Sequence, residues 1–169
     1  MIAAPSTFGQ STSGPLHAAR WLALLTPAAL LAGAYISQYG FGMPPCEMCW
    51  WQRYPHFAAL ALALIAFAVP PRVPVALAAI ALVASGLIGA FHAGVEYGWW
   101  KGVTACTASA FSAGGDPLAA ILAAPIVRCD VAPWSLFGIS LAGWNFLFSI
   151  AAALAIGLLL KRGRTSING

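Results

Sequence analysis

Eight Lys and Arg and four Asp and Glu are the only charged side chains in 169 residues, and their placement leaves four charge-free stretches, at 21–45, 54–71, 73–95 and 131–160. A charge near the centre of a bilayer costs about 3 kcal/mol or more, so in lipid such gaps mark where the chain can cross. A helix needs about 20 apolar residues to span about 30 Å of hydrocarbon. The stretches predict four spanning helices, near 21–39, 53–69, 75–93 and 140–160. Charged residues make up 7% of the chain and hydrophobic ones 61%, against about 25% charged in soluble domains. That is too little ionised surface for a water-soluble globule. The net charge of +4 is not gathered into a basic cluster with interleaved aromatics, which excludes a nucleic-acid partner.

The expected fold is all-α, an integral membrane four-helix bundle spanning 21–160 with two extracytoplasmic redox loops. Residues 1–20 are rich in Ser, Gly, Ala and Pro without periodicity, and read as a disordered tail. Residues 161–169 form a short basic tail. The apolar run after Arg20 has about full spanning length, so it reads as a retained span rather than a cleaved signal peptide.

Basic residues set the orientation. Arg20, Arg72, Lys161, Arg162 and Arg164 fall at one set of span ends, and Arg53, Lys101 and Arg128 at the other. The excess puts both termini in the cytoplasm and sends the connections at 40–52 and 94–133 outside. All four cysteines lie there, Cys46 and Cys49 in the first loop, Cys106 and Cys129 in the second. An oxidising compartment suits disulfides, and four cysteines allow three pairings that sequence alone leaves open.

A structural staple explains the second pair, whose loop closure stabilises by about 3 kcal/mol in the chain-entropy model. It does not explain the first, because two cysteines with two residues between them close almost no loop. That spacing suits thiol exchange or a metal. Four-cysteine zinc sites usually use two close pairs, whereas Cys106 and Cys129 stand 23 positions apart, so no metal is expected. Covalent haem needs His directly after the second cysteine, and Trp50 stands there.

The second apolar run has only 16 residues from Tyr54 to Val69, about 24 Å at 1.5 Å each. Its helix must therefore start at or before Arg53, which puts Cys46 and Cys49 at a helix start on the membrane surface. Free N–H groups, the positive dipole end and Arg53 favour a thiolate there, with Cys49 the more acidic thiol. If winding reaches back through the motif, Cys46, Cys49, Arg53 and His56 fall within about 80° of one face; Pro55 then demands a kink. His92 is a second polar group at the depth of Arg53. Trp50, Trp51, Trp99 and Trp100 read as interfacial belt residues. Asp116 and Pro117 cap a short amphipathic segment with Leu118, Ile121 and Leu122 on one face, ending before Pro125. It is expected to lie on the bilayer and hold Cys129 near the first pair.

The run Pro45-Cys46-Glu47-Met48-Cys49-Trp50-Trp51-Gln52-Arg53-Tyr54-Pro55 resembles the first-loop redox motif of the DsbB family of membrane disulfide-forming proteins. His92-Ala93-Gly94-Val95-Glu96 leading to Cys106, Cys129-Asp130, and the stretch from Trp134 to Asn145 resemble the same family, so the likeness covers about 21–160. It implies a quinone-coupled oxidase (ubiquinone or menaquinone) in the bacterial inner membrane, re-oxidising a DsbA-like periplasmic dithiol oxidase. Carried over by position, Cys106 receives the partner's thiolate, Cys129 exchanges with Cys46, and Cys49 passes electrons to quinone. Arg53 and His92 serve the quinone site. A membrane thiol carrier exporting reductant and a variant dedicated to one special substrate are the alternatives; the first is expected to keep its cysteines within spans.

Overall fold

Each charge-free stretch supplies the body of a helix. The computed structural model describes residues 14–104 and 127–165, and its elements run α1 (Gly14–Gly40), α2 (Glu47–Ile65), α3 (Arg72–Glu96), β1 (Ser135–Leu136), β2 (Ile139–Ser140) and α4 (Leu141–Thr165). Helices α1, α3 and α4 are long and apolar enough to cross a membrane. Helix α2, with 19 residues, is about 28 Å long and carries Gln52, Arg53 and His56. Cys106 and the amphipathic segment expected at 116–125 lie outside the described residues.

Two boundaries differ from the sequence expectation. Helix α1 begins at Gly14 rather than 21, so the last seven residues assigned to the tail are helical. Leu16, Ala19 and Ala23 are buried along one side of it, and this packing, which the charge at Arg20 conceals in the sequence, extends the helix. Helix α2 covers Glu47–Ile65 instead of 53–69. It starts early because Cys46, with extended backbone (φ −76, ψ 175), serves as its N-cap, the sulfur accepting from the Cys49 N–H at 3.2 Å. Glu47 sits in the first turn, where a negative charge is favoured. The kink expected at Pro55 does not interrupt the winding. Only the Trp51 carbonyl loses its helical donor, and Trp51 lies on an exposed side.

Helix α3 packs on α2 and α4, and α1 packs on the same two. At one end, Arg20 covers the ring of Phe67 at 4.1 Å and Arg72 donates to the Gly163 carbonyl at 2.7 Å, satisfying the C-terminal turn of α4. At the other end the chain leaves α3 through a Schellman turn. Gly98, with φ +72, donates to the Val95 carbonyl, and Trp99 N–H to the Gly94 carbonyl. Helix α4 is started by Ser140, whose hydroxyl accepts from the Gly143 N–H at 3.2 Å, an N-cap bond. Tyr97 ties the two ends together, donating to the Gly138 carbonyl and accepting from the Ser140 N–H.

The interior is stacked in three levels. Small residues dominate the first, with Ala19 and Ala23 of α1, Ala59 and Ala63 of α2, Ala78 of α3, and Ala152 and Ala153 of α4 packed with Val75, Leu82 and Ile156. In lipid there is no hydrophobic drive between helices, and small residues let backbones approach. The second level is polar, built from Gln52, His56, Ser85, Asn145 and Ser149. The third, nearest the loops, is a sulfur cluster of Cys46, Met48 and Cys129 with Val95.

Leu82 is fully buried in the first level. Truncation to Ala removes packing without the full transfer term that water would add. The Leu82→Ala protein is expected to lose stability at the lower end of the about 2–5 kcal/mol range for such changes, measured by equilibrium unfolding in mixed micelles.

Candidate functional site

Helix α2 orders the reactive groups along one face. Cys46 is its cap and Cys49 closes its first turn, so the two sulfurs meet at 2.9 Å, with the Cys46 thiol donating to Cys49. A cap that is itself a cysteine explains the two-residue spacing: the sulfur that satisfies an orphan N–H is held against the sulfur three residues on. Both sulfurs lie ahead of the span expected from 53. The hydrogen bond to Cys49, then burial, pushes the Cys46 thiol far up. The same bond received from Cys46 lowers Cys49, against burial and the charge of Glu96 and with the help of Arg53. Cys49 is the more acidic of the two thiols, and Cys46 is the hydrogen-bond donor.

Arg53, 6% exposed, lies one turn further in. It donates to Gln38 Oε1 at 2.7 Å and to the Ala34 carbonyl at 3.3 Å on α1. Its guanidinium sits 4.8 Å from the Tyr35 ring and 4.9 Å from Trp50. Trp50 is therefore a wall of the arginine site as well as a belt residue, whereas Trp51, Trp99 and Trp100 remain exposed. Among the described residues no carboxylate lies within salt-bridge distance of Arg53. A buried cation without a counter-ion is costly, and the Arg53 charge helps to lower the Cys49 thiol.

His92 of α3 belongs to the sulfurs as much as to the cavity. Its Nδ1 accepts from Gln52 Nε2 at 2.8 Å, while Nε2 faces Cys46 Sγ at 3.6 Å, the Cys129 carbonyl at 3.2 Å and Glu96 Oε1 at 3.8 Å. Cys129 is fully buried against Cys46 in the third level, its sulfur accepting from Thr104 at 3.5 Å. Cys46, Cys49, Arg53, His92 and Cys129 thus come together, and Cys106 lies outside the described residues.

A cavity of about 420 Å³ opens beside them between α1, α2 and α4. Its walls are mostly apolar, with Leu31, Leu141 and Phe148 among them, and its polar lining includes Cys49, Gln52, Arg53, His56, His92 and Glu96. Cys46 and Cys129 are not part of that lining. A pocket of this size and character takes a small, largely apolar ligand. The polar groups fit a planar ring that bears oxygen substituents: Arg53, with no carboxylate within salt-bridge distance among the described residues, can donate to a ring oxygen, and the buried atoms His56 Nδ1 and Glu96 Oε2, which can accept, lack hydrogen-bond partners among the described residues.

Cys46, Cys49 and His92 also place their ligand atoms within 4.8 Å of one another. Two thiolates on tetrahedral zinc, at about 2.3 Å each, stand about 3.8 Å apart; the 2.9 Å separation here is that of a dithiol approaching its disulfide, about 2.05 Å when closed.

Sequence reasoning missed four side chains of this site. Gln52, Asn145 and Ser85 lie between 33 and 93 positions apart in the chain yet bond directly. Glu96 falls inside the connection expected at 94–133 but is the last residue of α3; its i,i+4 spacing from His92 on one helix is the signal that brings it inward. If the Cys46 thiol holds the Cys49 thiolate, the Cys46→Ala protein should need higher pH for Cys49 alkylation than the reduced wild type. Iodoacetamide rates against pH measure this, and an unchanged midpoint contradicts the sulfur–sulfur bond.

The profile of the family "Disulfide bond formation protein DsbB" matches residues 17–159. Among curated relatives, a disulfide bond formation protein B of Polaromonas sp. is 32% identical over 162 residues, covering 83% of this chain and 89% of its own. That of Verminephrobacter eiseniae is 31% identical over 161 residues, covering 85% and 86%. An uncharacterised Rickettsia prowazekii protein is 26% identical over 146 residues, covering 82% and 85%. No solved structure matches significantly. With the family profile matching most of its length and the dithiol at the start of α2, the chain belongs to the DsbB family of membrane disulfide bond formation proteins.

Proposed function

We propose that this protein is a four-span thiol:quinone oxidoreductase of the bacterial inner membrane that re-oxidises a DsbA-like periplasmic dithiol oxidase. The observation that carries this reading is the division of the sulfurs: Cys49 alone among the described cysteines lines the apolar cavity, beside Arg53, while Cys46 is buried against Cys129. A carrier between a water-soluble protein and a lipid-soluble acceptor needs that separation. The basic residues at the span ends favour cytoplasmic termini and periplasmic loops.

In this reading the partner's thiolate attacks a Cys106–Cys129 disulfide at Cys106, giving a mixed disulfide and freeing Cys129, and the partner's second thiolate then displaces Cys106 so that the partner leaves oxidised. The Cys129 thiolate attacks Cys46 of a Cys46–Cys49 disulfide and frees Cys49; Cys106 then attacks Cys129 and displaces Cys46, which restores the Cys106–Cys129 disulfide and leaves Cys46 and Cys49 as the dithiol. A quinone held in the cavity, ubiquinone or menaquinone, would supply the acceptor of two electrons and two protons for re-forming the Cys46–Cys49 disulfide. Cys49 is prepared by the helix start and by the Cys46 thiol. Arg53, held by Gln38 and the Ala34 carbonyl, supplies fixed positive charge where negative charge develops. Preorganised donors of this kind need no rearrangement during reaction. His92 keeps a donor on Cys46 and on the Cys129 carbonyl, which stabilises sulfur charge during the exchange.

The test uses the purified protein with a reduced DsbA-like partner, with and without a short-chain benzoquinone, following thiol loss and quinol formation together. Expected are quinone-dependent oxidation with one quinol per disulfide, abolition by Cys49→Ser, and a fall of on the order of 10²–10³ in kcat for Arg53→Met, the usual cost of losing one charge-stabilising donor. Normal turnover by Cys49→Ser, or oxidation indifferent to quinone, overturns the proposal.

A further inference from the structure

Two turns beyond Cys49 on α2, about 10.5 Å along the axis, His56 returns to the same face of the helix. It is 3% exposed and lines the same cavity. Its Nε2 lies 2.8 Å from Asn145 Oδ1 and 2.9 Å from Ser85 Oγ.

Backbone carbonyls decide which way each of these groups points. The Asn145 amide nitrogen donates to the Ser85 carbonyl at 3.3 Å and to Gln52 Oε1 at 2.8 Å, so the other end of that amide is oxygen. The Ser85 hydroxyl proton goes to the Gln52 carbonyl at 2.8 Å. Both groups facing Nε2 are therefore acceptors, and Nε2 carries the ring proton. Nδ1 is left as a bare acceptor, buried, with no partner among the described residues. Leaving a buried acceptor unpaired is unfavourable, so the position is built for a donor.

We propose that His56 Nδ1 is an acceptor subsite of the cavity that takes the hydroxyl of a reduced, hydroquinone-type ring. This rests on the quinone reading above and adds a residue to it. An oxidised ring carries carbonyl oxygens only, and an acceptor facing an acceptor gains nothing. The reduced ring carries O–H donors. The cavity has a donor pole at Arg53 and an acceptor pole at His56, so it favours the ring more strongly as that ring is reduced. An interaction strengthened along the reaction is one that promotes it.

The experiment measures binding without turnover. All proteins carry Cys49→Ser, and the affinity of a short-chain benzoquinone and of its hydroquinone is read by tryptophan fluorescence in micelles. His56→Phe keeps a ring and removes the lone pair, while Ser149, donating to Asn145 Oδ1 at 3.0 Å, keeps the neighbouring amide satisfied. The expected result is an about tenfold loss of hydroquinone affinity, one hydrogen bond's worth, with quinone affinity within about twofold. His56→Gln, which restores an acceptor oxygen, recovers hydroquinone binding. In ¹⁵N-labelled protein without the His56 substitution, the Nδ1 resonance has the unprotonated signature and moves with hydroquinone but not with quinone. Equal losses for both rings, or no loss for either, overturn the subsite while leaving the quinone reading standing. Failure of both rings to bind the Cys49→Ser protein overturns the two together.

Discussion

The amide pair of Gln52 and Asn145 is the tie on which the rest of the site depends. It joins α2 to α4 at 2.8 Å, and it passes directly under Gly89 of α3. A Cβ on that glycine would lie 3.0 Å from Asn145 Nδ2, 3.1 Å from Gln52 Oε1 and 2.8 Å from the Ala142 carbonyl. In lipid, close packing and polar pairs are what hold helices together, and here one contact uses both. The missing side chain brings three helices near enough for the bond. The bond in turn fixes the two histidines, because Gln52 gives its NH₂ to His92 and Asn145 gives its oxygen to His56.

Charge at the site follows from what surrounds Arg53. Its donors are directed to a glutamine and a backbone carbonyl, and its faces are covered by Tyr35 and Trp50. These neighbours hold the guanidinium in place without neutralising it. A carboxylate partner would have lowered the cost of burial and also cancelled the field that helps to lower the Cys49 thiol. Glu96 is nearby but is directed toward His92, on the side of the sulfur cluster. Glu96 lines the same cavity from α3 but lies outside salt-bridge distance of Arg53.

Much of this was legible in the chain because lipid is an exacting solvent. Twelve charges left four gaps, and each gap became the body of a helix. The short second run forced a helix start at or before Arg53, and α2 begins at Glu47 with Cys46 as its cap. What escaped has particular causes. Arg20 looked like a boundary, yet its guanidinium lies over Phe67 and the helix continues past it to Gly14. Pro55 called for a kink, but its lost hydrogen bond belongs to the Trp51 carbonyl, on an exposed side. Gln52 and Asn145 stood within recognisable motifs, but a pair separated by 93 positions has no local signature. Ser85 sits in an apolar stretch of α3, and its partners, the Gln52 carbonyl, His56 and Asn145, all come from other helices.

The two cysteines of the first loop cannot exchange roles, and the reason is the direction of a helix. The cap residue is the one whose side chain turns back to meet an N–H, so Cys46 is drawn under the end of α2 toward Val95 and Cys129. The residue three positions on has its own N–H engaged by that cap, and its side chain projects from the helix face that also carries Arg53 and His56. Cys49 therefore faces the cavity and Cys46 faces the protein. The proton follows the same asymmetry, since the sulfur–sulfur hydrogen bond raises Cys46, the donor, and lowers Cys49, the acceptor. A motif of two cysteines and two spacers, placed at a helix start, thereby yields one sulfur suited to exchange with another cysteine and one suited to a lipid-borne acceptor, with no further residue needed to distinguish them.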